Sequence, residues 1–378
     1  MKKILLFSRD PGGANVVTPL INVLKEKEYE VKLFGKDYAL NKYKQFGYGG
    51  IDILNYLQQI TLESITDFLI HESPDFIITG TSADDFTEKY LWKASEKLNI
   101  PCFAILDQWM SYGIRFSEFT LAQIEEYNFK KTHSYLPTKI LVMDEYAKQQ
   151  MMKEGIEDYK IEVTGQPYFD YLINKNNLIC SDDILKYKKN IGCVDSDIII
   201  TFATEAITKT YDEDDKAQDH IGYTDKTILY EIYECINKIS SECNKRIIII
   251  IRLHPKDEIN NYSDFISKVG NKNLQVLLDK NTDAMIAINA SDIICGMSSM
   301  FLIEAAIIGK PIISVQIGLK GKNPFFLNQT GQLQTVLTKS KLENVLNDFI
   351  VNQYYASYSL NFKNGAIKKV INFMEEFI

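Results

Sequence analysis

The run Ile247-Ile248-Ile249-Ile250-Ile251 constrains this chain more than any other stretch. An uninterrupted β-branched apolar segment of this length predicts a strand buried on both faces of a parallel sheet. The run stops at Arg252-Leu253-His254-Pro255-Lys256, where cationic or potentially cationic groups surround a helix breaker. Open α/β sheets bind ligands beyond the carboxyl ends of their strands. A strand ending in positive donors therefore predicts a pocket for an anion, a phosphate above all. Taken as a lone basic loop, Arg252 and Lys256 read first as solvated surface charges and His254 as a loop residue; a second unit further along the chain shifts that reading.

A second strand–loop–helix unit follows. Ser291-Asp-Ile-Ile-Cys295 reads as a strand, Gly296-Met297-Ser298-Ser299 as a loop, and the apolar stretch from Met300 through Glu304 towards Gly309 as a helix. Two serines at a helix start either cap it or present hydroxyl and N–H groups to an anion. A cationic loop and a helix N-terminus at adjacent strand ends would together clamp a diphosphate or phosphodiester.

The 378 residues exceed one ordinary core, and two domains are expected, 1–170 and 171–378. Between them Gly165-Gln166-Pro167 breaks the pattern, and 173–195 is polar and Lys/Asn-rich, as a linker would be. The net charge of −8 argues against a general nucleic-acid binder, which carries a basic footprint. No apolar run approaches the roughly 20 residues of a membrane span. The opening Met1-Lys-Lys-Ile-Leu-Leu-Phe turns polar at Ser8-Arg9-Asp10, so it reads as a first strand of a cytoplasmic protein. The six cysteines form no CxxC pair, which predicts reduced thiols and no zinc site.

Strands are expected at 3–7, 29–35, 74–80, 100–106, 139–143 and 160–165, separated by helical spacers, which makes a doubly wound parallel sheet. After the first strand, Asp10-Pro11-Gly12-Gly13 allows close backbone approach to a ligand, although no GxGxxG is present. Thr18-Pro19 reads as the start of the following helix. Carboxylates stand at successive strand ends: Asp10, Asp84, Asp85 and Asp107. Each suits either a helix cap or a general base. Asp107 leads because Trp109, Tyr112 and Arg115 follow it, an aromatic and cationic wall for a sugar or an acidic acceptor; Asp85 is second.

The second half restarts with a strand at 196–203 followed by Thr204-Glu205. Asp212-x-Asp214 matches a metal–diphosphate DxD pattern, but its acidic surroundings read as a solvated loop. An amphipathic helix at 227–241 leads to the isoleucine strand, 311–315 reads as the last strand, and 342–350 and 366–378 as helices. The terminal helix is of the kind that crosses back to the first domain.

Two α/β domains, a Gly-x-Pro junction, an Arg-x-His-Pro loop and a Ser-Ser loop entering a helix together resemble the GT-B superfamily of glycosyltransferases. Gly165-Gln166-Pro167-x-x-Asp170 is similar to the Gly-Asn-Pro-x-x-Asp junction of sugar-nucleotide 2-epimerases, with Gln in place of Asn. His254-Pro255 with Ser298-Ser299 is similar to the His-Pro and Ser-Ser motifs of bacterial sialyl-, polysialyl- and Kdo-transferases. CDP-glycerol glycerophosphotransferases carry a comparable His-Pro loop. The resemblance implies two Rossmann-like doubly wound parallel-sheet domains facing across a cleft. It also implies that His254, Ser298 and Ser299 hold the nucleotide phosphate, that Glu304 meets the ribose, and that Thr204 and Glu205 border the nucleotide. The base would be an acidic residue of the acceptor-side N-terminal domain. The families' Asp/Glu-Asp/Glu-Gly base motif is absent, since Phe86 follows Asp84-Asp85.

The expected activity is metal-independent transfer of a sugar from a nucleotide-linked donor, with CMP or CDP favoured and UDP open. The acceptor would be a carbohydrate or lipid-linked molecule of surface polysaccharide synthesis, reached in the cytoplasm or peripherally at the inner face of the membrane. Asp107 or Asp85 would take the acceptor proton while Arg252, His254, Lys256 and the Ser298-Ser299 helix end stabilise the leaving nucleotide. Asp10, Gly12 and Gly13 would line the sugar or acceptor side. No cofactor is expected. The alternatives are a UDP-sugar 2-epimerase or hydrolase of the same fold, and a non-catalytic nucleotide-binding protein.

Overall fold

The computed structural model describes residues 1–209, 217, 220–243, 245–255, 257–355 and 364–378. The chain divides into two compact units, Met1–Tyr171 with Phe362–Ile378, and Leu172–Asn361. Each is a parallel α/β unit, the class expected from the strand–helix alternation.

In the first unit, β1 (Lys3–Ser8), β2 (Glu30–Gly35), β3 (Ile51–Asp52), β4 (Phe76–Thr79), β5 (Cys102–Ile105), β6 (Lys139–Val142) and β7 (Ile161–Val163) form a seven-stranded sheet in the order β3-β2-β1-β4-β5-β6-β7. The core gathers Ile4, Leu6, Phe76, Ile78, Phe103 and Ile105 under helices, and the helix Ala366–Glu375 contributes Val370, Ile371 and Met374 to it. Asp170 fastens that helix by accepting the N–H groups of Gly365 (3.0 Å) and Ile367 (2.9 Å).

In the second unit, β8 (Ile198–Ala203), β9 (Ile247–Arg252), β10 (Leu274–Asp279), β11 (Ile293–Gly296), β12 (Ile312–Val315) and β13 (Thr335–Val336) form a six-stranded sheet, ordered β10-β9-β8-β11-β12-β13. The isoleucine run is β9. Ile247, Ile249 and Ile251 face the helices Asp225–Cys243 and Lys339–Ile350, and Ile248 and Ile250 face the opposite side. Each fully buried isoleucine is worth roughly 1.5–3 kcal/mol of transfer free energy, so this strand anchors both layers.

Four expectations change. The segment read as a polar linker holds two helices, Pro167–Asn177 and Ser181–Asn190. The second carries Asp182 and Asp183 in its first turn and Lys188 and Lys189 in its last, matching the helix dipole. The first helix of the chain begins at Pro11, not at Thr18-Pro19. Pro11 takes the first helical position, where its missing N–H costs nothing. The strand 311–315 is not the last, since β13 follows it, and the helix at 366–378 stops at Glu375.

No described helix is long and apolar enough to cross a membrane. All six cysteines are free.

Candidate functional site

The chain leaves β8 towards β9 on one side and returns from β10 to β11 on the other. The carboxyl ends of β8 and β11 therefore flank the switch point where such a sheet opens a crevice. Thr204 and Glu205 follow β8 directly. The Thr204 hydroxyl oxygen accepts the His254 N–H (2.8 Å) and donates to the Asp257 carboxylate. Asp257 closes its own turn by donating its N–H to the His254 carbonyl (2.8 Å), and Lys280 reaches its carbonyl at 2.6 Å. His254 is half-buried and Pro255 exposed. Lys256, like Asp212 and Asp214, lies outside the described residues.

Glu205 turns to the other strand. Its carboxylate accepts the Met297 N–H (2.9 Å), the Ser298 N–H and the Ser298 hydroxyl (2.7 Å). Its own N–H and that of Ile207 donate to Asp225, at 2.6 and 2.8 Å. Met297 is held from behind by Ser314 (2.7 Å) and Gln316 (3.1 Å), both donating to its carbonyl. Ser299 is the N-cap of the helix Met300–Ile307 and accepts the Phe301 N–H at 3.1 Å. Enclosure of the Glu205 carboxyl pushes its pKa up to about 7 despite the Ser298 bonds, with Asp225 adding repulsion.

Consecutive residues thus tie the imidazole loop and the twin-serine loop to one strand end. The Ser298 donors, expected to meet a phosphate, hold an internal carboxylate. Arg252 also differs from expectation. It lies opposite Asp279 in the β9–β10 register and pairs with it at 2.7 Å, its guanidinium over the Phe301 ring. Glu304 is half-buried on the helix that Ser299 caps. A cavity of about 310 Å³ in this unit is lined by His220, Tyr223, Thr224, Thr227, Glu231 and Ile317. Thr224 precedes Asp225, and Ile317 follows Gln316, so the cavity wall continues into the residues that hold Glu205 and Met297.

The first unit has its own switch point, between β1 and β4. Gly13 and Gly80 approach so closely there that a Cβ on Gly80 would stand 2.5 Å from the Gly13 Cα. Asp107, just past β5, aims Oδ2 at the backbone of Gly12, and a Cβ on Gly12 would stand 1.7 Å from it. Arg115 holds Oδ1 at 2.9 Å and also donates to the Thr81 carbonyl and hydroxyl, at 2.7 and 2.9 Å. Burial raises the Asp107 pKa, Arg115 opposes the rise, and Asp10 adds to it. Gln166 donates to the carbonyls of Leu106 (3.3 Å) and Asp107 (3.1 Å), so the junction motif's amide fastens the Asp107 loop.

Several other expected residues of this unit have partners within it. Asp85 caps the helix Phe86–Leu98 through the Thr87 N–H (2.9 Å) and pairs with Lys36 at 2.5 Å, which lowers its pKa despite burial. Trp109 and Tyr112 are buried and form no open wall: Trp109 stacks on Phe169 and donates to Asp144 at 2.8 Å. Arg115 is buried and serves Asp107.

Sequence reasoning missed Glu88. It is fully buried, accepts the Arg9 N–H at 3.4 Å through Oε1, and carries a pKa raised well above the glutamate range by burial, Asp10 and Asp85. Its position three residues after Asp85 would have assigned it to a capping box; instead it reaches the β1 loop. Among the described residues, no group of three or more His, Cys, Asp or Glu side chains could hold a metal ion.

Solved structures share this architecture end to end. UDP-GlcNAc 2-epimerase from Methanocaldococcus jannaschii matches with a TM-score of 0.68 at 18% identity, covering 100% of each chain. UDP-GlcNAc 2-epimerase from Neisseria meningitidis, bound to UDP-GlcNAc, matches with a TM-score of 0.67 at 17% identity, covering 99% of this chain and 100% of that one. Anabaena Alr3699/HepE in complex with UDP and glucose matches with a TM-score of 0.61 at 14% identity, covering 100% of each. The fold is GT-B-like, built of two Rossmann-type domains. No protein-family model and no curated protein matches the chain. In this GT-B-like frame, Thr204, Glu205, His254 and Ser298 meet at one strand end, and Gly12, Asp107 and Arg115 at another.

Proposed function

We propose that the chain is a metal-independent glycosyltransferase acting on a sugar linked to a pyrimidine nucleotide, with a carbohydrate or lipid-linked acceptor. One observation carries the reading: Thr204 and Glu205 link the His254 loop and the Ser298 loop at the switch point of the second sheet. That arrangement brings the His254 loop and the Ser298-Ser299 helix start to one strand end, where a phosphate would be held. The motif resemblance favours cytidine nucleotides. Two structures of similar fold are bound to UDP-GlcNAc and to UDP with glucose, and cytosine and uracil are both pyrimidines.

In the reaction, the acceptor oxygen bonds to the anomeric carbon as the bond from that carbon to the donor phosphate oxygen breaks. Asp107 takes the acceptor proton, and Arg115 and Gly12 fix its orientation. The nucleotide departs with the electron pair, its charge stabilised by His254 and the Ser298-Ser299 helix end. A raised Asp107 pKa suits a base poised closer to neutrality.

A second reading, UDP-sugar 2-epimerisation or hydrolysis, draws on the mutually repelling carboxyl groups Asp10, Glu88 and Asp107 at one crevice. A thermal-shift screen against CMP, CDP, UDP and GDP tests the nucleotide class, because a ligand bound only by the native state raises its stability. Incubating the donor without acceptor then separates the reactions. Nucleotide release with deuterium exchange at C2 would replace transfer by epimerisation, and tight binding with no turnover under any condition would leave a binding protein. EDTA is expected to leave turnover intact; loss restored by Mn²⁺ would make Asp212 and Asp214 ligands.

A further inference from the structure

The Ser298 donors already hold an anion. Three donors converge on the Glu205 carboxylate, the number and kind of groups that would otherwise receive phosphate oxygens. We propose that Glu205 is the resident anion of the phosphate seat, a carboxylate that must be protonated where it stands for the donor's phosphate to enter, so that nucleotide binding takes up a proton. The proposal rests on reading the seat as the nucleotide site.

The geometry favours competition over coexistence. A carboxylate and a phosphate cannot share the Met297 and Ser298 N–H groups without bringing two negative charges into contact inside a low-dielectric pocket. Among the described residues, the charge that bears on Glu205 is that of another carboxylate. Asp225, on the helix Asp225–Cys243, adds negative charge and holds the Glu205 N–H. Asp257, on the loop after β9, is bonded to Thr204, and Arg252 on β9 is paired with Asp279. Glu304 lies on the helix beyond Ser299, and His254 on the loop beyond Thr204.

With a transition near pH 7, Glu205 is largely charged at pH 8 and largely neutral at pH 6. A phosphate entering the seat raises the cost of that charge, so the side chain takes up a proton where it stands; swung out into water, it would release one instead. Binding should weaken as pH rises through neutrality, by up to tenfold per unit for one coupled proton.

Titration calorimetry of UDP and CMP, from pH 6 to 8.5 in buffers of different ionisation enthalpy, measures this on the whole chain, with Glu205→Gln, Glu205→Ala and Ser298→Ala compared. Ionisation of the nucleotide's own phosphate is common to all four proteins and cancels in the ratios. Both Glu205 variants are expected to bind about tenfold tighter than the parent at pH 8, converging with it near pH 6. The parent should take up close to one proton more than either variant at pH 8. Equal affinities and proton counts at every pH, or weaker binding in both Glu205 variants, would overturn the proposal while leaving the seat in place, provided Ser298→Ala still loses affinity. Binding indifferent to Ser298→Ala, or no binding of either nucleotide by the parent, would remove the seat itself. Should both Glu205 variants fail to fold, the parent's proton uptake at pH 8 decides alone: about one proton in excess of the nucleotide's own supports protonation of Glu205 on binding, and none, or a proton released, refutes it.

Discussion

The Asp107 carboxylate lies where a side chain on Gly12 would begin. A Cβ there would stand 1.7 Å from Oδ2, and Arg115 and Gln166 hold the carboxylate and its carbonyl on the other side. Gly12 is therefore glycine for want of space, since it is absent from the positive-φ residues. Gly12→Ala must push Asp107 off Arg115 or shift the β1 loop. Overpacking of this kind costs about 1–3 kcal/mol, and an ångström of misplacement costs on the order of 10²-fold in rate. Denaturant melts and kcat for the variant check both. An unimpaired rate would separate Asp107 from the chemistry.

Asp107 and Asp85 should part company on mutation. Asp107→Asn keeps the shape and removes the base, and a rate loss of about 10²–10⁴-fold is expected. Asp85→Ala removes a helix cap, for about 1 kcal/mol, and leaves Lys36 without its 2.5 Å partner. Its loss should appear in unfolding midpoints more than in turnover. A deeper rate loss in Asp85→Ala than in Asp107→Asn would reverse the assignment.

Glu88, Asp107 and Glu205 all hold pKa values above their unfolded ones. For an acid shifted upward, the native state keeps its proton longer than the unfolded state. The associated stability is present below the unfolded value, near 4.5 for the glutamates, and is lost as pH rises through the folded values. Stability should therefore decline from about pH 5 to pH 8, by at most ~1.4 kcal/mol per unit for each group. Urea unfolding across that range should show the decline, and Glu88→Gln should flatten it and gain on the parent at pH 8. A parent whose stability rises over the same interval would contradict the burial of these carboxyls.

The sheets were legible because their signal is local. The isoleucine run and the Ser291–Cys295 segment advertise buried strands by composition, and β9 and β11 are where they fall. Two-residue strands such as β3 and β13 have no such signal, and surface helices rich in Lys and Asn share their composition with linkers. The site was half-legible for a different reason. Strand ends mark where ligands go, yet the partner of each charge is a tertiary fact: Glu205 meets Ser298 across 93 positions, and Arg252 meets Asp279 across 27. The second pairing had a trace in sequence, since parallel strands of equal length that end in opposite charges can pair them. Glu88 had a trace that misled, because Asp-x-x-Glu at a helix start describes a capping box.

The last test concerns the link between the two loops. Thr204→Val keeps the volume but deletes the hydroxyl that accepts the His254 N–H and donates to Asp257. Asp257 is buried, and among the described residues its other side-chain partner is Tyr262 at 3.5 Å, so the deletion leaves a carboxylate poorly satisfied, for about 1–3 kcal/mol. If the hydroxyl sets the His254 loop against the serine loop, nucleotide affinity falls with stability, and Thr204→Ser restores both. His254→Ala separates positioning from chemistry, because it spares the Thr204–Asp257 bond. Its turnover should fall by on the order of 10²-fold or more, as for a lost charge-stabilising donor, with the unfolding midpoint little changed. Normal kcat in His254→Ala would mean that the imidazole does not bear on the leaving group, however well its loop is held.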